Sequence, residues 1–221
     1  MISAQTTLNS AEPPKTDRRY LALGDSISID FYTGVAGGGA ASQFARLLGA
    51  AKFENMTFDG ATSEDVLEML PVVTIQPNVI TLTIGGNDFL EGLSHLRSGA
   101  VTIDDVIGLS LSNIDMICLK LQRHSCPTII NTIYDPTDGD DALAAAIGIP
   151  PELRIGFNAL NQGIKDTAQR YGYILSDLET VFRGHGAASM QPWIVSQIEP
   201  NLAGATAIAA HWDKLLAGSE A

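Results

Sequence analysis

Cysteine is scarce in this chain, with only Cys118 and Cys126 among 221 residues. Their spacing forms no C-x-x-C pair, so neither a disulfide framework nor a thiolate metal site is expected, and both read as free thiols in the interior. Basic residues are also few: Lys and Arg number 13 against 25 Asp and Glu, a formal net charge of −12. Nucleic-acid binding needs clustered Lys and Arg against phosphate, so that class is excluded, and an anionic membrane surface is disfavoured for the same reason. Charged residues are 17% of the chain and hydrophobic ones 45%, a mix that forms a packed core and not a disordered polymer. No apolar run approaches the ~18 residues of a spanning helix. The stretch from Met1 to Arg19 is polar, carries Pro13 and Pro14, and lacks the apolar centre of a secretory signal, so a cytoplasmic location is expected.

What is present is an alternation of short β runs with longer helical patterns. Residues 1–17 read as a flexible tail and 18–221 as one domain. Strands are expected at Tyr20–Leu23, Lys52–Phe58, Val79–Ile84, Thr128–Tyr134 and Tyr173–Leu175, where β-branched or apolar residues cluster. Helices are expected around Phe44–Leu48, from Ser63 as N-cap to a stop at Pro71, over Asp104–His124, over Glu152–Tyr171 and over Ala203–Leu216. Such alternation predicts an α/β fold, a three-layer α/β/α sandwich on a parallel sheet. Active sites of these sheets lie beyond the carboxyl ends of the strands.

Three strand exits carry chemistry. The first reads Gly24-Asp25-Ser26, a sharp turn that sets Ser26 at the start of a helix, either as an N-cap or as a nucleophile among free N–H groups. The second reads Asp59-Gly60-Ala61-Thr62-Ser63, where glycine serves a turn or lets backbone approach a ligand. The third, Gly85-Gly86-Asn87-Asp88, either forms a turn or aims the Asn87 amide at an oxyanion. In this order the three blocks resemble those of the SGNH (GDSL-type) hydrolases, a family of esterases, lipases and acylhydrolases, from about Arg19 to Ala217. The resemblance implies a flavodoxin-like α/β/α sandwich with five parallel strands. It further implies Ser26 as nucleophile and an oxyanion hole made by the N–H of Ser26, the N–H of Gly60 and the Asn87 side chain. It implies a small-molecule ester as substrate, with no metal and no organic cofactor. A strongly acidic surface fits a neutral or cationic ester better than an anionic phospholipid.

The fourth block departs from the family pattern. The family's Asp-x-x-His-Pro is here Ser196-Gln197-Ile198-Glu199-Pro200, followed by Asn201-Leu202-Ala203-Gly204, so Glu199 stands where the base is expected and Ser196 where its acidic partner is. Three readings follow. Glu199 is itself the base, which requires burial to raise its pKa. Or a histidine from elsewhere reaches Ser26 and Glu199 orients it. Or catalysis is lost and the chain is a silent binding module. Of the four histidines, His185 leads, because Gly184 and Gly186 flank it in the loop after the last strand; His95, read as lying in the loop after Asn87, comes second. His124 and His211 are placed in structural positions. Carbohydrate O-acetyl esterase or acyl-transferase activity is a further alternative on the same scaffold. Gly37-Gly38-Gly39 lacks a P-loop ending, and Asp135 to Asp141 lacks EF-hand spacing and reads as a solvated loop capping the next helix. Ala142 to Ile149 lines an acyl pocket or simply packs, and Phe31, Tyr32 and Trp193 are candidate pocket walls.

Overall fold

The sheet is built around its first strand, β1 (Arg19–Gly24), whose residues past Arg19 are all buried. In the computed structural model, which describes residues 17–149 and 154–219, β1 pairs in parallel with β2 (Lys52–Thr57) on one side and β3 (Val79–Thr83) on the other. Beyond β3 lie β4 (Thr128–Asn131) and β5 (Ile174–Ser176), giving five parallel strands in the order β2-β1-β3-β4-β5. The order reverses between β1 and β3, which makes the crevice between their carboxyl ends the place where such a sheet binds ligands.

Because strand side chains alternate between faces, each strand feeds two cores. Leu21, Leu23, Ile80, Leu82 and Ile130 point to one face, where α2 (Ser63–Met69), α3 (Gly86–Ser98), α4 (Ile103–Leu121) and α6 (Arg154–Tyr171) cover them. Tyr20, Ala22, Val79 and Ile129 point to the other, under α1 (Ala40–Leu48) and α8 (Leu202–Ser219). The sandwich is therefore the expected three-layer α/β/α arrangement with a five-stranded parallel sheet.

Several boundaries differ from the sequence reading. The N-cap of α2 is Thr62, not Ser63: its hydroxyl accepts from the Asp65 N–H while the Asp65 carboxylate accepts from the Thr62 N–H. Helix α3 replaces the expected loop after Asn87, so His95 is on an exposed helical turn. A short helix, α5 (Asp141–Ala146), occupies most of the segment read as lining an acyl pocket or simply packing, and it is this helix that Asp140 caps. Two further small elements escaped the sequence reading: α7 (Leu178–Val181), and a hairpin of β6 (Ile194–Val195) with β7 (Glu199–Pro200). Residues 1–16 of the expected tail, Glu152 and Leu153 at the start of the helix expected over Glu152–Tyr171, and residues 150, 151, 220 and 221 of the expected domain lie outside the described residues. Among the described residues no helix is long and apolar enough to cross a membrane, and no group of three or more His, Cys, Asp or Glu could hold a metal ion. Cys118 and Cys126 are free thiols, the first buried and the second partly so.

The layers are tied by polar groups as well as by apolar packing. The fully buried Trp212 of α8 donates its indole N–H to Asn131 Oδ1 at 2.7 Å, and Asn131 Nδ2 donates to the Leu82 carbonyl at 2.9 Å. Trp212→Phe removes the donor and leaves a buried amide oxygen without a partner. The expected loss is about 1–3 kcal/mol of folding stability, read as a lower urea midpoint with an unchanged slope.

Candidate active site

The turn after β1 is set by a close approach. Gly24 adopts φ +129°, and a Cβ there would stand 1.9 Å from the Thr83 carbonyl oxygen, so only glycine fits. The chain then enters a short 3-10 turn, Ser26–Ser28, whose cap is Asp25: its carboxylate accepts from the Ile27 N–H at 3.2 Å, and its own N–H donates to the Thr83 carbonyl at 3.0 Å. Ser26 is thus the first residue of the turn and not its cap. It is buried, and its backbone N–H is engaged by no other described residue.

The other two exits are locked together. Asn87 Nδ2 donates to the Ala61 carbonyl at 2.9 Å, which fixes the amide and leaves its second N–H free for a ligand. Asp88 accepts from the Ser63 N–H at 2.9 Å and from the Ser63 hydroxyl, which also accepts from Asn113 Nδ2 at 3.1 Å. The first turns of α2 and α3 are therefore one hydrogen-bonded unit. Gly60, at φ +76°, sits at the exposed turn just before it, with its N–H also unengaged by another described residue. Beside it, Asp59 accepts from the Tyr32 hydroxyl at 2.9 Å.

Glu199 reaches the site from the β6–β7 hairpin. The turn between the two strands holds Ser196 and Gln197 at φ +49° and +75°, and the Tyr134 hydroxyl fastens it by donating to the Ile198 carbonyl at 2.6 Å. Only 5% of Glu199 is exposed. Burial raises its pKa to about 6, interaction with the Ser26 side chain pulls it part of the way down, and the Asp59 charge pushes it up. Asp25 is raised further, to about 8, chiefly by burial, against the hydrogen bonds from Thr83 and Ile27 and with help from the Glu199 charge. Ser26, Asn87, Asp25 and Glu199 line one cavity, whose remaining wall is mostly apolar: Ile27, Phe89, Leu90, Ile133, Tyr134, Ala144, Ile149, Phe157 and Ile198 among others.

The histidines lie elsewhere. The His185 ring stacks flat on Trp193, with centroids 3.7 Å apart, and its Nδ1 pairs with the Gln191 carbonyl at 3.1 Å. Neither it nor His95, His124 or His211 is among the residues lining the cavity. Trp193 is likewise a platform for His185 and Phe182 and not a pocket wall, while Phe31 is 77% exposed. The wall residues that the sequence reading missed, Phe89, Leu90, Ile133 and Phe157, belong to α3, to α6 and to the exit of β4. They carry no signal that separates them from core residues until the helices are placed.

Residues 22–207 match the GDSL-like lipase/acylhydrolase family. The chain belongs to this family. Among curated proteins none matches the sequence. Solved structures with the same fold include phospholipase A1 from Streptomyces albidoflavus NA297, at 20% identity and TM-score 0.67 over 91% of this chain and 99% of that one. An extracellular lipase from Streptomyces rimosus aligns at 19% identity and TM-score 0.66, with the same coverage of 91% and 99%. A variant of an acetyl xylan esterase from Geobacillus stearothermophilus aligns at 17% identity and TM-score 0.68 over 92% and 97%.

The raised carboxyls of this GDSL-family chain set a direction for stability. Asp25 stays protonated when folded up to about pH 8, whereas its ordinary value is 3.8. Its stabilising contribution is complete below about pH 4 and is lost as pH rises through about 8, because only the unfolded chain releases the proton in that window. Urea midpoints measured from pH 5 to pH 9 should fall more steeply in the natural protein than in Asp25→Asn, whose side chain does not titrate.

Proposed function

We propose that the chain hydrolyses a carboxylic ester through an acyl-enzyme on Ser26, with Glu199 as the direct base and no histidine in the reaction. The observation that carries this reading is the shared cavity: the Ser26 hydroxyl and the buried Glu199 carboxylate meet there, and no histidine lines it. Membership of the GDSL-like lipase/acylhydrolase family supports the reaction class.

The steps follow from the positions. Glu199, ionised above about pH 6, takes the Ser26 proton as the hydroxyl oxygen attacks the ester carbon. The carbonyl oxygen becomes an oxyanion facing the free N–H of Asn87 and the N–H groups of Ser26 and Gly60. On collapse the carbon–alkoxide bond breaks and protonated Glu199 gives its proton to the leaving alcohol. A water then repeats the sequence: Glu199 takes its proton, the acyl–Ser26 bond breaks, and Ser26 recovers its proton while the carboxylic acid departs. A carboxylate near pKa 6 is a stronger base than a solvated Glu, so burial of Glu199 is part of the chemistry.

A fluorophosphonate should label Ser26 in the folded protein, and Ser26→Ala should abolish hydrolysis of para-nitrophenyl esters. Glu199→Gln should lower kcat by about 10²- to 10⁴-fold, the usual worth of a positioned base, whereas His185→Ala should stay within about threefold of the natural protein. The kcat/KM profile should rise with pH through about 6 as Glu199 ionises. Loss of activity in His185→Ala with Glu199→Gln unaffected would reassign the base to His185. Absence of both labelling and turnover would leave a silent binding module.

A further inference from the structure

The cavity beside Ser26 is more extensive and more apolar than an acetyl group requires. Its apolar lining comes from α3, α5 and Ile149 beyond it, α6, the loops after β1 and β4, and Ile198 of the hairpin; the rings of Phe89 and Phe157 pack edge to face in its wall, with centroids 6.4 Å apart. Apolar surface left open inside a pocket is a site for apolar ligand, at about fourfold in affinity per buried methylene. Charge at its rim does not offer a salt bridge to such a ligand. Arg154 lines the cavity with its charge already balanced: Nη1 donates to Asp135 at 2.5 Å, and Nη2, which makes no hydrogen bond, lies 2.9 Å from Asp141. The carboxyl groups of the lining are Asp25, Asp135 and Glu199. A chain ending in a carboxylate would meet these carboxyl groups, with Arg154, the only lining cation among the described residues, already ion-paired.

The two sides of Ser26 differ in kind. Toward the hairpin, Glu199 has Asp59 as an electrostatic neighbour, and neither Asp59 nor its partner Tyr32 belongs to the cavity lining. That polar side suits the alcohol, which must leave beside the base, and the water that follows it. The apolar side suits the group that stays on Ser26 between the two steps.

We propose that this cavity is an acyl site for a neutral aliphatic chain longer than acetyl, with Ala144 of α5 and Phe157 of α6 in its wall. Assignment of the chain as the acyl half rests on Ser26 being the nucleophile; binding of an aliphatic chain in the cavity does not.

Two measurements test it. In the natural protein, kcat/KM for para-nitrophenyl hexanoate should exceed that for the acetate by at least about tenfold, and the monoester of adipic acid, with its terminal carboxylate, should fall at least about tenfold below hexanoate. Ala144→Trp, which fills the cavity, should cut the hexanoate-to-acetate ratio by about tenfold or more. Separately, calorimetry on Ser26→Ala should show hexanamide binding at least about tenfold tighter than acetamide, a preference that does not depend on turnover or on the Trp variant folding. Tight hexanamide binding with no ester cleaved would keep the aliphatic site and remove the hydrolase reading. Efficient hydrolysis with acetate at or above hexanoate, and no preference between the amides, would overturn the aliphatic site and keep the hydrolase reading.

Discussion

The close contact between Gly24 and Thr83 is the constraint on which the site depends. It brings the ends of β1 and β3 together where the strand order reverses, with 1.9 Å between a notional Cβ and a carbonyl oxygen. With no side chain in the way, the Asp25 N–H reaches that same carbonyl at 3.0 Å, and the chain turns at once into the Ser26 segment. From β3 the next residues are Gly85, at φ +111°, and then the first turn of α3 with Asn87. Serine and amide are therefore neighbours because two strands are neighbours, and no loop has to be ordered to bring them together.

Around that fixed pair the electrostatics are unusual for want of a cation. Asp25 and Glu199 face one cavity, both almost fully buried, and the one cation lining it is paired elsewhere. Burial resolves the conflict by separating their titrations. Between about pH 6 and 8 Glu199 is ionised while Asp25 keeps its proton, so the pair carries one negative charge and not two. The same desolvation that costs folding energy is what leaves a carboxylate basic enough to act on a serine hydroxyl.

How far the sequence revealed this differed from element to element. The parallel sheet was visible in the β-branched runs at Val79–Thr83 and Thr128–Asn131, because strands buried on both faces have little choice of composition. The positions of Ser26 and Asn87 at strand exits followed from the same pattern. Helix α3 was hidden because it starts on two glycines, which signal a turn more strongly than a helix. The hairpin was hidden because two-residue strands have no periodicity. His185 looked mobile between its glycines, yet stacking on Trp193 holds it, an interaction between residues eight apart that no local pattern marks. Glu199 was conspicuous only as a departure from a family motif; its contact with Ser26 needed coordinates.

The hairpin that carries Glu199 belongs to neither face of the sheet's own ladder. It is a separate two-stranded unit, seated through the buried Ile194 in the core under α8, with Tyr134 stacked on Phe182, Phe182 edge-on to Trp193, and the Tyr134 hydroxyl donating to the Ile198 carbonyl. Ser26 and the Asn87 amide are thus welded into the main framework, while the Glu199 carboxylate stands on a bracket bolted to it. The side chain at position 199 is thus carried by a unit outside the five-strand ladder. On the proposed mechanism, the group that takes the proton, and with it the pH dependence of the reaction, is set by a part that lies outside the strand ladder.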